Sequence, residues 1–303
     1  MAMIYSYEFY GLTLSLPFPC PFLPEIKYDS ESDVTLTCGP VPDELLDAVA
    51  TNDTWEMGYR WQAAPGRFLI KGGRKSACFL VEDGSRITMQ RNPEAEDGRI
   101  LFHLLHSVTA ALFRQKGLLT LHASTANTAA GAIVLCGESG AGKSTTITAM
   151  LNNGCNIISD DVTILRFNAD GRIVATSGSP RMHLWDDAAR LLGLDTTGLG
   201  RHPVRRRKFA VTVPGDHDPI PVPLRKICIL ESCSGSEIHM SRLKGADKLD
   251  AMMDCVYGPL FREEHPGLFD LFSAVAEQAD ILRIQRPEGR WTVDEVVKAV
   301  LNG

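Results

Sequence analysis

The most informative part of the chain is residues 132–145, AIVLCGESGAGKST. Within it, residues 137–144 match the pattern GxxxxGK[ST] at every defined position. The apolar run 132–136 predicts a buried strand, and the residues after the match predict a helix that ends near Asn152, with Gly154 beyond it. A strand before the loop and a helix after it form the context in which this pattern binds phosphate. The segment therefore predicts an α/β unit with a site for phosphate groups.

Each defined position of this predicted loop has a chemical reason. Glycines allow backbone N–H groups to converge on phosphate oxygens, and the following helix directs its positive N-terminal end at the same anion. Lys143 is expected to reach the β- and γ-phosphates, and the Ser144 hydroxyl is placed to bind Mg²⁺. We expect ATP as the nucleotide and Mg²⁺ as its cation. The predicted nucleotide-binding residues are Gly137, Glu138, Ser139, Gly140, Ala141, Gly142, Lys143, Ser144 and Thr145.

An acidic pair lies one helix and one strand after the loop. The predicted strand 156–160 runs directly into Asp160 and Asp161. Carboxylates at a strand end beside a phosphate loop bind Mg²⁺ or accept a proton from an attacking hydroxyl. We therefore predict that Asp160 and Asp161 are catalytic, together with Lys143, and that both bind the metal with Ser144. The alternative is an Asp-rich turn that opens the next hairpin.

A histidine precedes the loop in the segment LTLHAS, residues 119–124. We predict a strand over 118–125 that pairs beside the strand of the phosphate loop. Because this places His122 next to a phosphate site, His122 is a candidate catalytic residue. The alternative is a hydrogen-bonded structural histidine, which is the more common role of a single histidine in a strand.

Five basic residues fall within eight positions of this otherwise acidic chain: Arg201, Arg205, Arg206, Arg207 and Lys208. Guanidinium groups bind phosphate oxygens through two parallel hydrogen bonds, and they stabilise charge that builds up during transfer. Arg205, Arg206 and Arg207 are therefore predicted to contact phosphate or an acidic substrate. The alternative is a solvated basic loop. A nucleic-acid surface is not favoured, because no aromatic residue is interleaved with the basic ones.

Composition limits the classes of function. The 303 residues include 44% hydrophobic and 22% charged residues, as in a folded protein, and 31 basic against 37 acidic residues give a net charge of −6. This charge attracts neither nucleic acid nor an anionic membrane, and no apolar run is long enough to span a bilayer. The eight cysteines form no CxxC pair, so a zinc site is not expected. Scattered free thiols and the lack of a signal peptide predict a cytoplasmic protein.

The pattern along the chain predicts two domains. Residues 1–98 are β-rich, with a meander of short strands over 59–90 and a short helix at Asp43–Ala50. Residues 99–303 interleave strands with helices, including a helix at Leu184–Leu192, and therefore predict an α/β domain with a largely buried sheet.

Two well-known classes of phosphate-loop protein are not favoured. Residues 195–198, DTTG, match the DxxG motif of GTPases, but the chain has no NKxD segment to recognise guanine. It also has no LSGGQ-like segment, which a transporter ATPase would require.

Residues 121–123, 137–144 and 159–161 (LHA, GESGAGKS and SDD) together resemble the HPr kinase/phosphorylase catalytic domain. That family has a histidine-containing strand before its phosphate loop and an Asp-Asp pair at a comparable distance beyond it. The resemblance extends over roughly residues 115–215. It implies a P-loop kinase domain with a fold related to phosphoenolpyruvate carboxykinase, and transfer of a phosphoryl group from ATP to a serine hydroxyl of a protein. It also implies that one residue of the pair Asp160 and Asp161 is the base and that the other supports Mg²⁺ or contacts His122.

The chain departs from that family after the acidic pair. The LEIRG segment is absent, and the comparable stretch is SPRMHLW, residues 179–185. This departure favours the diverged HPr-kinase-related proteins, some of which phosphorylate ribosomally made precursor peptides, including lasso-peptide precursors at a C-terminal serine. We therefore predict an ATP-dependent serine kinase for a protein or precursor peptide, with a lasso-type precursor favoured over HPr. A homo-oligomer is left open. The alternatives are a nucleotide-binding regulatory or sensor module without phosphotransfer, and a small-molecule kinase.

Overall fold

The computed structural model describes residues 3–26, 31–54, 59–178, 181–202, 207–212, 220–258 and 267–302. The chain forms two compact units. The first comprises Met1–Thr120 and Tyr257–Leu268, and the second comprises Leu121–Val256 and Phe269–Gly303. Both units contain β-sheet and helix, so the protein is of mixed α/β class.

The first unit contains an eight-stranded sheet. Its strands, in chain order, are β1 (Tyr5–Phe9), β2 (Leu12–Leu16), β3 (Val34–Cys38), β4 (Ala50–Asn52), β5 (Tyr59–Ala64), β6 (Arg67–Gly72), β7 (Ala77–Glu82) and β8 (Arg86–Arg91). The spatial order is β1-β2-β3-β8-β7-β6-β5-β4. The strands β5 to β8 form the antiparallel meander predicted over 59–90.

A helical segment follows this sheet in the first unit. It consists of α1 (Asp97–His103), a π-helical stretch (Leu104–Val108) and α2 (Thr109–Gln115). Apolar residues recur at helical spacing here, and the Phe113 ring lies 5.6 Å from Phe9, centroid to centroid. The segment thus belongs to the first compact unit, whereas the boundary predicted between residues 98 and 99 assigned it to the second domain. As a division into domains, that boundary stays a prediction.

The second unit interleaves strands and helices. After β9 (Leu119–Leu121), which crosses the boundary between the units, the elements are β10 (Ser124–Thr128), β11 (Gly131–Cys136), α3 (Lys143–Asn152), β12 (Asn156–Ser159), β13 (Thr163–Phe167), β14 (Ile173–Thr176), β15 (Arg181–Trp185), α4 (Asp186–Leu191), β16 (Lys208–Thr212), β17 (Val222–Cys233), β18 (His239–Arg242), α5 (Ala246–Met253), α6 (Leu268–Gln278), β19 (Asp280–Pro287) and α7 (Val293–Asn302).

Three neighbouring strands of the second unit are parallel, and they determine where the phosphate loop lies. β17 pairs in parallel with β11 on one side and with β19 on the other. Their carboxyl ends therefore meet at the same edge of the sheet, which is where ligands bind in α/β proteins. The sheet continues from β11 through β10 to β12, and from β17 through β14 to β13. The loop 137–142 leaves the carboxyl end of β11 and enters α3.

Apolar side chains hold α3 and α7 against this sheet. Ile133 and Leu135 of β11 belong to one buried cluster with Ile147 and Met150 of α3 and Val296 of α7. Burial of each such side chain contributes roughly 1.5–3 kcal/mol. The phosphate loop is therefore held between two elements of a packed core.

Two predicted helices are wrong in whole or in part. Residues 43–49 form turns and bends and no helix, and Ala50 begins β4, because Leu45 packs into a small cluster with Ala64 and Leu69 and its N–H bonds to the side chain of Gln62. Of the helix predicted at 184–192, only α4 is helical. The residues immediately before α4 form β15, which pairs antiparallel with β16.

The predicted strand 118–125 is also interrupted. β9 ends at Leu121 and β10 begins at Ser124, so His122 lies between two strands. β10 does pair beside β11, as expected, but the histidine itself is not part of that ladder. Its backbone N–H bonds to the Cys255 carbonyl oxygen instead, at 2.8 Å.

Among the described residues, we find no helix with the length and apolar character needed to cross a membrane.

Candidate active site

The predicted phosphate loop has the backbone of a tight, glycine-dependent turn. Gly137, Gly140 and Gly142 have φ angles of +134°, +96° and +104°, a region that favours glycine. A Cβ atom at Gly137 would also lie 2.3 Å from the Leu230 carbonyl oxygen of β17. A side chain is therefore excluded at Gly137 by both conformation and space. α3 begins at Lys143, so its N-terminal end points into the loop.

The Lys143 side chain lies along the inside of the loop. It is buried, and its ammonium group donates to the carbonyl oxygens of Gly137 at 2.6 Å and Glu138 at 3.2 Å. Burial lowers the pKa of Lys143, while the carboxylates of Asp161 and Asp160 act in the opposite direction. Of these two carboxylates, Asp161 has the larger electrostatic effect on Lys143.

Ser144 and Asp160, two of the residues predicted to bind the metal, are in direct contact. The Ser144 hydroxyl donates to Oδ1 of Asp160 at 3.2 Å, and the Ser124 hydroxyl donates to the same oxygen at 2.5 Å. Oδ2 of Asp160 accepts the backbone N–H of His183 at 2.8 Å. Desolvation and the neighbouring charge of Asp161 raise the pKa of Asp160, although the bonds from Ser124 and His183 oppose this.

Asp161 adopts a backbone conformation that is uncommon for a residue with a side chain. Its φ angle is +66°, in the left-handed region, which Asp tolerates better than most residues. Two histidines hold it. Nδ1 of His122 donates to the Asp161 carbonyl oxygen at 3.0 Å, and Nδ1 of His183 lies 3.4 Å from Oδ2 of its carboxylate. The backbone and the carboxylate of Asp161 are therefore fixed separately.

The other predicted nucleotide-binding residues occupy the loop and the first turn of α3. Glu138, Ser139 and Gly140 are exposed, Ala141 is buried, and Thr145 is partly buried in α3. Their roles toward a nucleotide stay predictions.

The predicted basic group is only partly described. Arg205 and Arg206 lie outside the described residues, and Arg207 is exposed. Arg201 forms an ion pair with Asp186, and its guanidinium carbon lies 3.8 Å from the centre of the Phe209 ring. Lys208 is buried, and its ammonium nitrogen lies 5.3 Å from the centre of the Trp185 ring. Arg201 and Lys208 therefore both contact specific side chains.

Three residues of this site were missed by sequence reasoning. Ser124 and His183 contact Asp160, and Arg286 donates hydrogen bonds to the phosphate loop. Ser124 lies in the segment that drew attention to His122 and could have been found there. His183 lies directly before the helix predicted at 184–192, and no strand was predicted there. No local pattern marks Arg286, which is distant from the loop in sequence.

The oxygen atoms at Ser144 and Asp160 fit a magnesium ion. Mg²⁺ prefers oxygen ligands at about 2.1 Å in octahedral geometry, so two ligands on adjacent positions lie about 3 Å apart. The 3.2 Å between Ser144 Oγ and Asp160 Oδ1 agrees with this spacing. A cation would also offset the desolvation that raises the pKa of Asp160.

Comparison with known proteins gives little guidance. No protein-family model matches the chain, and no curated protein has significant sequence similarity to it. Among solved structures, the HPr(Ser) kinase/phosphatase from Coxiella burnetii is similar at a TM-score of 0.31 and 13% sequence identity, over 60% of this chain and 93% of that one. A TM-score of this size does not establish a shared fold, so the site has to be interpreted from the chain's own residues.

Proposed function

We propose that this protein is an ATP-dependent serine kinase that transfers the γ-phosphate of ATP to a serine hydroxyl of a protein or of a ribosomally made precursor peptide. The observation that best supports it is the contact between the Ser144 hydroxyl and the Asp160 carboxylate, at 3.2 Å, directly at the start of α3. A phosphate loop, a buried lysine and a carboxylate in contact with the loop hydroxyl are the parts that phosphoryl transfer requires.

The phosphate loop binds the nucleotide in this proposal. Loop N–H groups and the N-terminal end of α3 hold the phosphate oxygens, and Lys143 neutralises the β- and γ-phosphates. To do so, Lys143 exchanges its bonds to the Gly137 and Glu138 carbonyl oxygens for bonds to phosphate. Ser144 and Asp160 are the residues that would hold Mg²⁺. The ion, when bound, supplies charge that stabilises the phosphate oxygens during transfer.

The geometry favours a division of roles within the acidic pair. Oδ1 of Asp160 accepts from the Ser144 hydroxyl, and Oδ2 accepts from the backbone N–H of His183, so the Asp160 carboxylate lies directly against the hydroxyl at the start of α3. Asp161 has its carboxylate held by His183 and its backbone held by His122. We therefore assign metal binding to Asp160, and to Asp161 the acceptance of the proton from the substrate serine. Orientation of the base by a second residue is a usual feature of such catalysis.

The acceptor class comes from the sequence resemblance to HPr-kinase-related proteins. The absent LEIRG segment favours a precursor peptide, such as a lasso-type precursor with a C-terminal serine, over HPr. Arg205, Arg206 and Arg207 remain candidates for contacts to the phosphate or to an acidic segment of that peptide, because guanidinium groups bind carboxylate and phosphate equally well.

The test is a phosphotransfer assay followed by intact-mass measurement. Wild-type protein receives ATP and Mg²⁺ with HPr, with a precursor peptide that ends in serine, or with no acceptor. We expect one added phosphate on the peptide, and the loss of this product in Lys143→Ala. Lys244→Ala, at an exposed lysine after β18, is the matched control and should retain the product.

The variant Asp161→Asn separates binding from transfer. Asn accepts a positive φ, so the backbone at this position is preserved. We expect ATP affinity near that of wild type and a loss of transfer of about 10²- to 10⁴-fold, the usual effect of removing a general base. Nucleotide binding without transfer to any acceptor in the wild type would contradict the kinase and favour a sensor. Phosphate found on a metabolite instead would favour a small-molecule kinase.

A further inference from the structure

The carbonyl oxygens of the phosphate loop are bonded to two cationic side chains. Lys143, inside the motif, donates hydrogen bonds to the carbonyl oxygens of Gly137 and Glu138. Arg286, outside the motif, bonds to two later carbonyl oxygens of the loop: its Nε donates to Ala141 O at 2.7 Å, and its Nη2 donates to Gly140 O at 3.1 Å. The carbonyl oxygens of this loop are therefore held by a residue outside the motif as well as by Lys143.

Arg286 reaches the loop from the carboxyl end of a neighbouring strand. It lies near the end of β19, at the position paired with Ser232 of β17. β17 lies between β19 and β11 in the sheet, and the loop after β11 lies against β17 at Leu230. Among the described residues, no carboxylate forms an ion pair with Arg286. Its positive charge is thus directed at backbone oxygens next to the predicted phosphate site.

A bond to a loop carbonyl also fixes the amide that follows it. In a trans peptide unit the C=O and the next N–H point in opposite directions. Arg286 holds the Ala141 carbonyl on its own side, so the N–H of Gly142 is turned to the other side. Ala141 N–H is already used in a turn, because it donates to Glu138 O at 3.1 Å. The orientation of the Gly142 amide therefore depends on Arg286.

We infer that Arg286 is a positioning residue of the phosphate loop, which holds the Gly140 and Ala141 carbonyls outward so that the loop amide after them faces the phosphate groups of a nucleoside triphosphate. This inference rests on the proposed function only for the ligand, a polyphosphate. It assigns Arg286 to binding and not to the transfer step. Bonds from a charged donor to carbonyl oxygens are stronger than neutral ones, so the loop loses its preferred shape without them.

The test measures binding of ATP and of inorganic triphosphate to Arg286→Gln and Arg286→Lys by calorimetry. We expect Arg286→Gln to bind both ligands at least about tenfold more weakly, because two charge-assisted bonds are lost. Arg286→Lys should lie between it and wild type, since an ammonium group restores the charge but not the two-pronged geometry. Arg290→Gln is the matched control. Arg290 bonds to Glu295 of α7 and to Ser236 O instead of the loop, and its variant should bind as wild type does.

Two further readouts distinguish positioning from other roles. With an acceptor that the wild type phosphorylates, KM for ATP should rise in Arg286→Gln, while kcat at saturating ATP stays within about threefold of the wild-type value. In Arg286→Ala, added guanidinium ion should restore part of the affinity for triphosphate, which a general loss of folding would not allow. Equal affinity of Arg286→Gln and wild type would overturn the inference, as would a fall in kcat with KM unchanged or a lack of rescue by guanidinium.

The binding measurement is independent of phosphotransfer. If wild type binds ATP and triphosphate but phosphorylates no acceptor, the kinase proposal fails, and the affinity of the Arg286 variants still decides the role of this residue. If wild type binds neither ligand, both proposals fail.

Discussion

The two compact units of this protein differ in the charged groups that they bring together. In the first unit, ion pairs lie at the surface, as between Lys71 and the fully exposed Asp43 at 2.9 Å. Its buried His103 has no hydrogen-bond partner for Nδ1 among the described residues. In the second unit, Lys143 is buried and Asp160 is largely withdrawn from water, and both have several partners. A charge withdrawn from water costs free energy unless partners compensate, and in the second unit the partners of these two charges lie around the predicted phosphate loop.

The sheets explain part of this difference. The meander in the first unit is antiparallel, and each of its strands pairs with the next strand along the chain, to which a short turn connects it. In the second unit, β11, β17 and β19 are parallel and end together. Residues far apart in sequence, such as those of the phosphate loop and Arg286, therefore meet at one edge.

The largest expected effect is that of Asp160→Asn in the second unit. Its amide keeps the size of the carboxylate but cannot supply a charged ligand beside Ser144. We expect kcat to fall by about 10³-fold and the dependence of rate on Mg²⁺ concentration to weaken, since electrostatic stabilisation of transfer is lost. Phosphotransfer rates measured against Mg²⁺ concentration check this. Asp43→Asn in the first unit is the control, and an Asp160→Asn protein as active as this control would refute the assignment.

An intermediate effect is expected at His103 when the pH is lowered. Burial, with added effects of His106 and Arg99, lowers the pKa of His103 to about 4, from its ordinary 6.5. The unfolded chain therefore takes up a proton below pH 6.5 that the folded chain refuses down to about pH 4. Stability falls as the pH falls through this range, by about 2 kcal/mol between pH 7 and pH 5.

Urea unfolding of wild type and His103→Leu at the two pH values measures this effect. Leucine cannot titrate, so the variant should lose about 2 kcal/mol less than wild type on acidification, whatever its own stability at pH 7. An equal loss in both proteins would mean that His103 is protonated as readily in the folded protein as in the unfolded chain.

The smallest effect is expected at the surface of the first unit. Asp43→Asn removes the ion pair with Lys71, but exposed pairs are screened by water and contribute about 0.5 kcal/mol or less. The free energy of unfolding of Asp43→Asn should therefore be close to that of wild type at both low and high salt. A loss of unfolding free energy several times larger would show that this exposed ion pair stabilises the first unit as strongly as a buried one.

The strand, loop and helix around the phosphate-loop motif could be predicted from the sequence because their determinants are local. Glycines at the positive-φ positions, the strand before them and the helix after them all lie within residues 131–152. The acidic pair at Asp160 and Asp161 was found for the same reason, since it ends the next strand. Contact between Ser144 and Asp160 also depends on the spatial order of the sheet, in which β10 lies between β12 and β11.

Other parts of the site depend on contacts that no local pattern records. In β15, Met182 and Leu184 are buried on one face, so His183 between them faces the acidic pair. That alternation was masked by the helical spacing of the residues that become α4. Arg286 is still harder to find, because its role comes only from the parallel pairing of β17 and β19.

The hydrogen bonds from Lys143 to two carbonyl oxygens of its own loop affect how tightly an inhibitor can bind at this site. A ligand must replace those bonds, so the measured affinity reports an exchange of partners and its enthalpy includes the bonds that are broken. An anionic group compensates for this loss, whereas a neutral phosphate mimic leaves the lysine where it is. Compounds directed at the loop will therefore need at least one negative charge, whatever their size.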